Sequence, residues 1–329
     1  MNMNIRNFCL LFFCILTFNC SGNKQQDPYL TEYEIVRFDK DLYKYIKGEK
    51  TNDFLSKYHL LLNEYGEKVI YIGRTDSLGF EKRLNEFFSE PTLVNLYSDE
   101  QSKFSDIEVI NSELSTGMNL FFEFFPEIKK PQIYMHVSGL NQNVIVTDEI
   151  LSISADKYLG TDYPLYKDFF YEYQRQLMTP DRIVPDYLLG FMLANIPFKG
   201  NEEVLLDRIL YEGKLRYCLS LLLPQRNVWE YVGYNKEQYE WCTFHESRIW
   251  KTILENQHLF NPDYITTQQY MRDAPYTALL PTDSPGRAGV WIGYQIILAY
   301  MKQYPNTSVQ QLMQNVNYQD LLKQSKYKP

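Results

Sequence analysis

Gln132-Ile133-Tyr134-Met135-His136-Val137, a turn at 139–143, then Val144-Ile145-Val146 and Leu151-Ser152-Ile153-Ser154 form the stretch on which the fold turns. Apolar and polar residues here alternate or run in short β-branched blocks bounded by Gly and Asn, the pattern of strands and turns. On both sides the period changes. Before it, Ile107, Ile110, Leu114, Met118, Phe121 and Phe122 recur at three- and four-residue spacing over 106–124 until Phe125-Pro126 stops them. After it, Val204, Leu205, Ile209, Leu215, Cys218, Leu219 and Leu222 mark a buried helical stripe. The pattern predicts a mainly α-helical α+β fold, with a small antiparallel sheet or hairpin around 132–154 set midway among helices.

Outward from there, Tyr33–Phe38 alternates as a short strand and Asp39 reads as an N-cap for a helix from Lys40. Further helices are expected over 52–65, 78–89, 181–195, 202–221, 235–256, 262–272, 286–304 and 308–323. Asp181 and Asp263 follow turn residues and read as helix starts.

The N-terminus has a different character. Arg6 precedes the apolar run Phe8-Cys9-Leu10-Leu11-Phe12-Phe13-Cys14-Ile15-Leu16-Thr17-Phe18, about eleven residues long, as a signal-peptide core is. A membrane-spanning helix needs about twenty. The run ends at Cys20, with Thr17 and Asn19 at the third and first positions before it, and a polar stretch follows. This pattern resembles a bacterial lipoprotein signal. The expected organisation is therefore a signal peptide over 1–19, a lipidated Cys20 with a tether to 32, and one globular domain over 33–329. The expected location is the cell envelope, with a membrane reached through the lipid.

The 329 residues carry a formal charge of −8 and no dense Lys/Arg cluster, which argues against nucleic acid as a partner. Aromatic residues are plentiful (28 Tyr, 20 Phe), as in large cores or interfaces. Of the five cysteines, three fall in residues 1–20, leaving Cys218 and Cys242 either to pair or to stand as buried thiols.

Catalytic patterns are sparse. The four histidines, His59, His136, His245 and His258, form no HExxH, which a helical zinc site needs to present two imidazoles one turn apart. His245-Glu246-Ser247-Arg248-Ile249 starts that motif but has Ile in the second position, so Glu246 reads as a pocket carboxylate paired with Arg248, Arg272 or Arg287. Asp148, Asp156, Asp162 and Asp186 cluster in sequence around the sheet and the next helix, but spacing alone fixes no carboxylate pair. Tyr158, Tyr163, Tyr166, Tyr171 and Tyr173 suit packing against helices, or else a ligand shelf.

Read together, several segments resemble the gliding motility-associated lipoprotein family GldB. They are Val36-Arg37-Phe38-Asp39-Lys40-Asp41-Leu42, Phe124-Phe125-Pro126, Val137-Ser138-Gly139-Leu140, Asp156-Lys157-Tyr158-Leu159-Gly160-Thr161-Asp162-Tyr163-Pro164 and Ile183-Val184-Pro185-Asp186. Glu212-Gly213-Lys214, Trp241-Cys242 with Glu246 and Ile249-Trp250, Ser284-Pro285-Gly286-Arg287 with Gly289 and Trp291-Ile292-Gly293, and the ending Ser325-Lys326-Tyr327-Lys328-Pro329 complete the set. The resemblance implies a lipidated envelope protein associated with surface movement and the secretion machinery coupled to it, though relatives also occur in bacteria that do not glide. It also implies a distant likeness to zincin peptidases, in which the helix after the hairpin carries HExxH and a later helix supplies a glutamate. Here that helix, at 181–196, contains no His, and Glu246 alone would be a remnant.

The resulting expectation is a non-catalytic protein with no metal and no cofactor. It would bind envelope proteins through a groove between the 132–154 sheet and the 181–196 helix, with Asp186, His245, Glu246 and Arg287 as candidate groove residues. The alternatives are a zincin-related hydrolase centred on His245 and Glu246, and a glycan- or lipid-binding module using Tyr163, Tyr166 and Tyr171.

Overall fold

In a computed structural model, which describes residues 33–49 and 53–329, the strands form where the period changes: β1 (Gln132–His136), β2 (Val144–Val146) and β3 (Ile150–Ser154). The signal segment 1–19, Cys20 and the 20–32 tether lie outside the described residues. The sheet is mixed rather than antiparallel, with order β1-β3-β2. β2 and β3 pair antiparallel, whereas β1 runs parallel to β3 from Gln132↔Ile150 to His136↔Ser154.

The connections explain this. Only 147–149 make a tight turn, closed by Thr147 N–H donating to Ile150 O (2.8 Å) and by Thr147 Oγ1 accepting from Glu149 and Ile150. The link from β1 to β2 is a wider loop in which Gly139 and Leu140 both take positive φ (68° and 66°). The buried Asp156 holds that loop, accepting from Ser138 N–H (2.9 Å), Leu140 N–H (2.8 Å) and the Ser154 hydroxyl. The loop carries the chain far enough for β3 to insert between the other two strands. As the central strand, β3 is buried along its whole length.

The sheet has a core on each face, because side chains alternate along a strand. Ile133, Met135, Leu151 and Ile153 join the large helical core. Val137, Ile145 and Ile150 join a second one built from Phe38, Leu42, Phe54, Tyr58, Leu62 and Tyr65. The helix Ile183–Asn195 covers the sheet, its Tyr187 hydroxyl donating to the Tyr134 carbonyl. The chain reaches β1 through a short segment. Tyr33 N–H donates to Ser115 Oγ (3.1 Å), Ile35 N–H to Asn111 Oδ1 (3.0 Å), and Val36 bridges Tyr134 in parallel, bonded to Ile133 and Met135.

At the centre of the helical part, Leu205–Leu222 packs along Ala288–Gln303, their backbones meeting at Gly213 and Gly293. A Cβ at Gly293 would lie 1.7 Å from Ile209 O, and one at Gly213 would lie 2.3 Å from Gly293 O. Glycine is required at both positions for the backbones to approach so closely. Glu32–Pro329 forms one compact unit. Its class is mainly helical α+β, and among the described residues no helix is long and apolar enough to cross a membrane.

Several local expectations are corrected. Phe38 already begins the helix Phe38–Ile46, so Asp39 lies inside its first turn rather than capping it. It is fully buried, taking Arg37 Nε (2.9 Å) and Nη2 (2.5 Å) at the electropositive end of the helix. The expected 235–256 helix is two, Lys236–Phe244 and Glu246–Glu255, divided at His245, whose ring stacks on Trp241 (centroids 4.1 Å apart). The expected 308–323 helix is also two, Val309–Gln314 and Tyr318–Ser325. There Lys214 Nζ donates to the Met313 (3.3 Å) and Asn315 (2.9 Å) carbonyls, satisfying a helix end, and Asn317 caps the next helix. Asp263 caps its helix as expected, accepting from Ile265 and Thr266, while Asp181 falls in a short 3-10 turn. A further helix, Pro91–Lys103, starts at Glu90, which accepts from Leu93 N–H, and at Pro91 in the first helical position. Cys218 and Cys242 are separate buried thiols, both pushed up to about 12 by burial.

Candidate functional site

A cleft of about 520 Å³ opens at the N-terminal end of Ile183–Asn195. That helix contributes Asp186 and Leu189, one turn apart on one face, with Arg182 just before it. The chain between the strands and that helix supplies one wall, including Tyr158, Phe170 and Tyr173. The opposite wall comes from Trp229 to Gln238, and the floor from Arg216, Asp273, Gly286 and Arg287. Of the expected groove, only Asn143 from the β1–β2 loop and the start of the helix take part.

Two backbone features shape the floor. Gly233 takes φ +75°, and a Cβ there would sit 3.6 Å from both terminal nitrogens of Arg287 and 3.9 Å from Arg182 Nη2. Arg287 itself is left-handed (φ 60°, ψ 30°) at the start of Ala288–Gln303, a conformation that costs a non-glycine residue about 1 kcal/mol. Gly286 before it allows this turn, since a Cβ would meet Ala274 O at 2.2 Å.

Three arginines converge on the cleft, each with its own carboxylate. Arg182 pairs with Asp186 (2.9 Å), Arg287 with Asp273 (3.0 Å) and Arg216 with Glu212 (3.0 Å). Arg182 also donates to Glu230 O (2.8 Å) and Arg287 to Val232 O (3.0 Å). Burial pulls Arg216 down to about 10; Glu212 and Asp186 counter it, but Arg287 and Arg182 add to the fall. Burial acts against the charge on Arg287 as well, yet Asp273 leads the neighbours that carry it above the ordinary guanidinium value.

Three of the four carboxylates that line the cleft, Asp186, Glu230 and Asp273, are engaged rather than poised; the fourth, Asp181, is exposed on its rim. Asp186 accepts from Arg182 on one oxygen and from the Tyr158 hydroxyl (2.9 Å) on the other. Burial first, and Asp186 second, push Tyr158 well above its ordinary value, so it remains a donor. Glu230 is held by Arg226 (2.9 Å) and Asn227 (2.7 Å). No His, Cys or Ser lines the cleft, and among the described residues no group of three or more His, Cys, Asp or Glu is placed to hold a metal ion. What the arrangement offers is fixed positive charge and hydrogen-bond donors beside aromatic faces, which suits the recognition of anionic groups.

The candidate residues from sequence thus separate. Asp186 and Arg287 line this cleft, whereas His245 and Glu246 do not. His245 Nδ1 lies 2.9 Å from Trp241 O, and Glu246 accepts from the Tyr327 hydroxyl (2.8 Å) near the C-terminus rather than from an arginine. Asp156 anchors the β1–β2 loop, and Asp148 and Asp162 are exposed. Tyr166 is buried and donates to Asp156 O (2.6 Å), Tyr163 donates to Asp99 (2.8 Å), and Tyr171 is 73% exposed, so these three form no continuous shelf. Sequence reasoning missed Arg182, Arg216 and Trp229. The first two had a signal: Arg182-Asp186 and Glu212-Arg216 are i,i+4 ion pairs, the second beside the apolar stripe of Leu205–Leu222, where a buried charge seldom goes unpaired.

A family model described as gliding motility protein GldB matches residues 21–329. No curated protein and no solved structure matches the chain.

Proposed function

Because the chain belongs to the family of the gliding motility protein GldB, we propose that it is a lipid-anchored envelope protein that binds another protein through the arginine-lined cleft and catalyses no reaction. The anchor is Cys20, which immediately precedes the matched segment. Its replacement by Ser should move the folded chain from the membrane to the soluble envelope fraction. A Cys20→Ser variant that still carries acyl chains would overturn that assignment.

The observation that carries the binding role is the state of the cleft's ionisable groups. Asp186, Glu230 and Asp273 each already hold a cationic partner, and a carboxylate committed to an arginine on one oxygen and a tyrosine on the other is a poor general base. A distant zincin ancestry belongs to the same proposal. It is supported by a helix that follows the hairpin, packs on β2 and β3, and carries Asp186 but no His. The test is capture: the tagged chain, purified from detergent-solubilised envelopes after cross-linking, should bring down a defined protein. Recovery of nothing above an untagged control would remove the reading.

A further inference from the structure

Arg216 is 5% exposed, yet among the described residues it makes one hydrogen bond, Nη2 to Glu212, out of the five N–H donors of a guanidinium. Its Nε and that of Arg182 (8% exposed) are buried without a partner. Buried donors left unpaired are costly, and natural structures rarely keep them without a reason. Both side chains line the same cleft as Arg287. Burial and the two neighbouring arginines strain the charge on Arg216, a state that an incoming anion relieves. Around this cationic floor stand the side-chain amides of Gln174, Asn235 and Gln238, whose oxygens cap helices and whose NH2 groups can donate to peptide carbonyls, together with Gln176 and the faces of Tyr173 and Trp229.

We propose that this cleft receives a short peptide segment of the partner protein and seats a carboxylate of that segment on Arg216 and Arg287. The inference rests on the protein-binding role above and names the chemistry of what is bound. Planar guanidiniums match a carboxylate in two-point geometry, and a cleft of about 520 Å³ falls in the ordinary range for bound ligands. The carboxylate comes either from an Asp or Glu side chain or from a chain terminus.

The test uses the full chain in detergent micelles on immobilised hexapeptides. One set is neutral at every position and amidated, one carries an internal Asp or Glu with an amidated end, and one is neutral with a free C-terminal carboxylate. A galacturonate oligomer serves as a glycan comparison. Retention on one of the carboxylate-bearing sets should exceed the neutral amidated set by at least about tenfold, equivalent to about 1.4 kcal/mol, and should fall with added salt. Whichever set is retained identifies the source. Arg216→Gln should abolish the preference. Because that change leaves Glu212 with only the more distant Arg208 (3.9 Å), Lys236→Glu provides a second variant. Lys236 lines the cleft but is exposed on the surface, so its reversal should weaken acidic-peptide retention severalfold with an unchanged circular dichroism spectrum. Equal retention of the neutral set, preference for galacturonate, no retention in any set, or full retention by both variants overturns the inference. If Arg216→Gln still captures the partner from envelopes, the cleft assignment fails while the binding role stands. Absence of any captured partner with the wild-type chain removes the binding role itself.

Discussion

Replacing Lys214 with Met removes an ammonium that is only 1% exposed, lies 4.9 Å from the Tyr318 ring centre and donates to the Met313 and Asn315 carbonyls. Burial lowers Lys214 to about 8, against an ordinary 10.5. At neutral pH it is charged both folded and unfolded, and burying that charge costs about 3 kcal/mol by linkage. Met escapes this cost but leaves two carbonyls without their donor, a loss of similar size, so the two chains should differ little near pH 7. As pH rises through about 8 the folded lysine releases its proton while the unfolded one keeps it, so wild-type stability gains until the unfolded group also titrates. Between pH about 7 and about 9.5 the gain is about 2 kcal/mol, and Met cannot share it. Cys218 and Cys242, pushed up to about 12 when folded, act in the opposite sense above their ordinary 9 in both chains, so the informative quantity is the difference between the chains. Urea unfolding followed by tryptophan fluorescence at several pH values measures it. A difference that stays constant from neutral to alkaline pH would refute the argument that Lys214 is strained by burial.

Gly293→Ala should destabilise by about 3 kcal/mol or prevent folding, since overpacking here is met by backbone rather than by a movable side chain; thermal unfolding will report it. His136 is fully buried, and burial drops it to about 3. Its stabilising contribution is complete above the ordinary 6.5 and declines by about 3 kcal/mol as pH falls to about 4, so His136→Gln should flatten the acid limb of the stability curve. Tyr327→Phe removes the hydroxyl that Glu246 accepts and should cost about 1 kcal/mol, with Glu246→Gln adding little in a double-mutant cycle.

Strand positions and most helix centres were legible because they rest on local period, and the sequence around β1, β2 and β3 shows that period plainly. Parallel pairing of β1 with β3 was not legible. It depends on a loop held by Asp156, a contact between residues 16 or more apart in sequence whose donors are backbone groups with no residue-type signature. The breaks at His245 and at 315–317 were hidden for a related reason. One is made by a ring stacking on Trp241, the other by Lys214 reaching from a helix about a hundred residues earlier to cap a carbonyl end. At the candidate site, Asp186 and Arg287 were singled out from sequence but were not known to share a cleft. Arg216 is hard to see in the sequence because it lies among residues that read as core. A charged residue within such a stripe, with an opposite charge four positions away, was the available clue.

The segment from Tyr33 to Val36 has a mechanical meaning. Any pull transmitted from the N-terminal side enters the domain here, and it meets the Tyr33 bond to Ser115, the Ile35 bond to Asn111 and the paired backbone bonds of Val36 within four residues. These partners belong to a long helix and to β1, so tension spreads over both the helical core and the sheet before any single bond carries it alone. A load along the strand must break the Val36 bonds to β1 together, not in succession. Under the proposed tether at Cys20, that junction is where load would first reach the domain, and its rupture force would depend on how well those few bonds stay shielded from water.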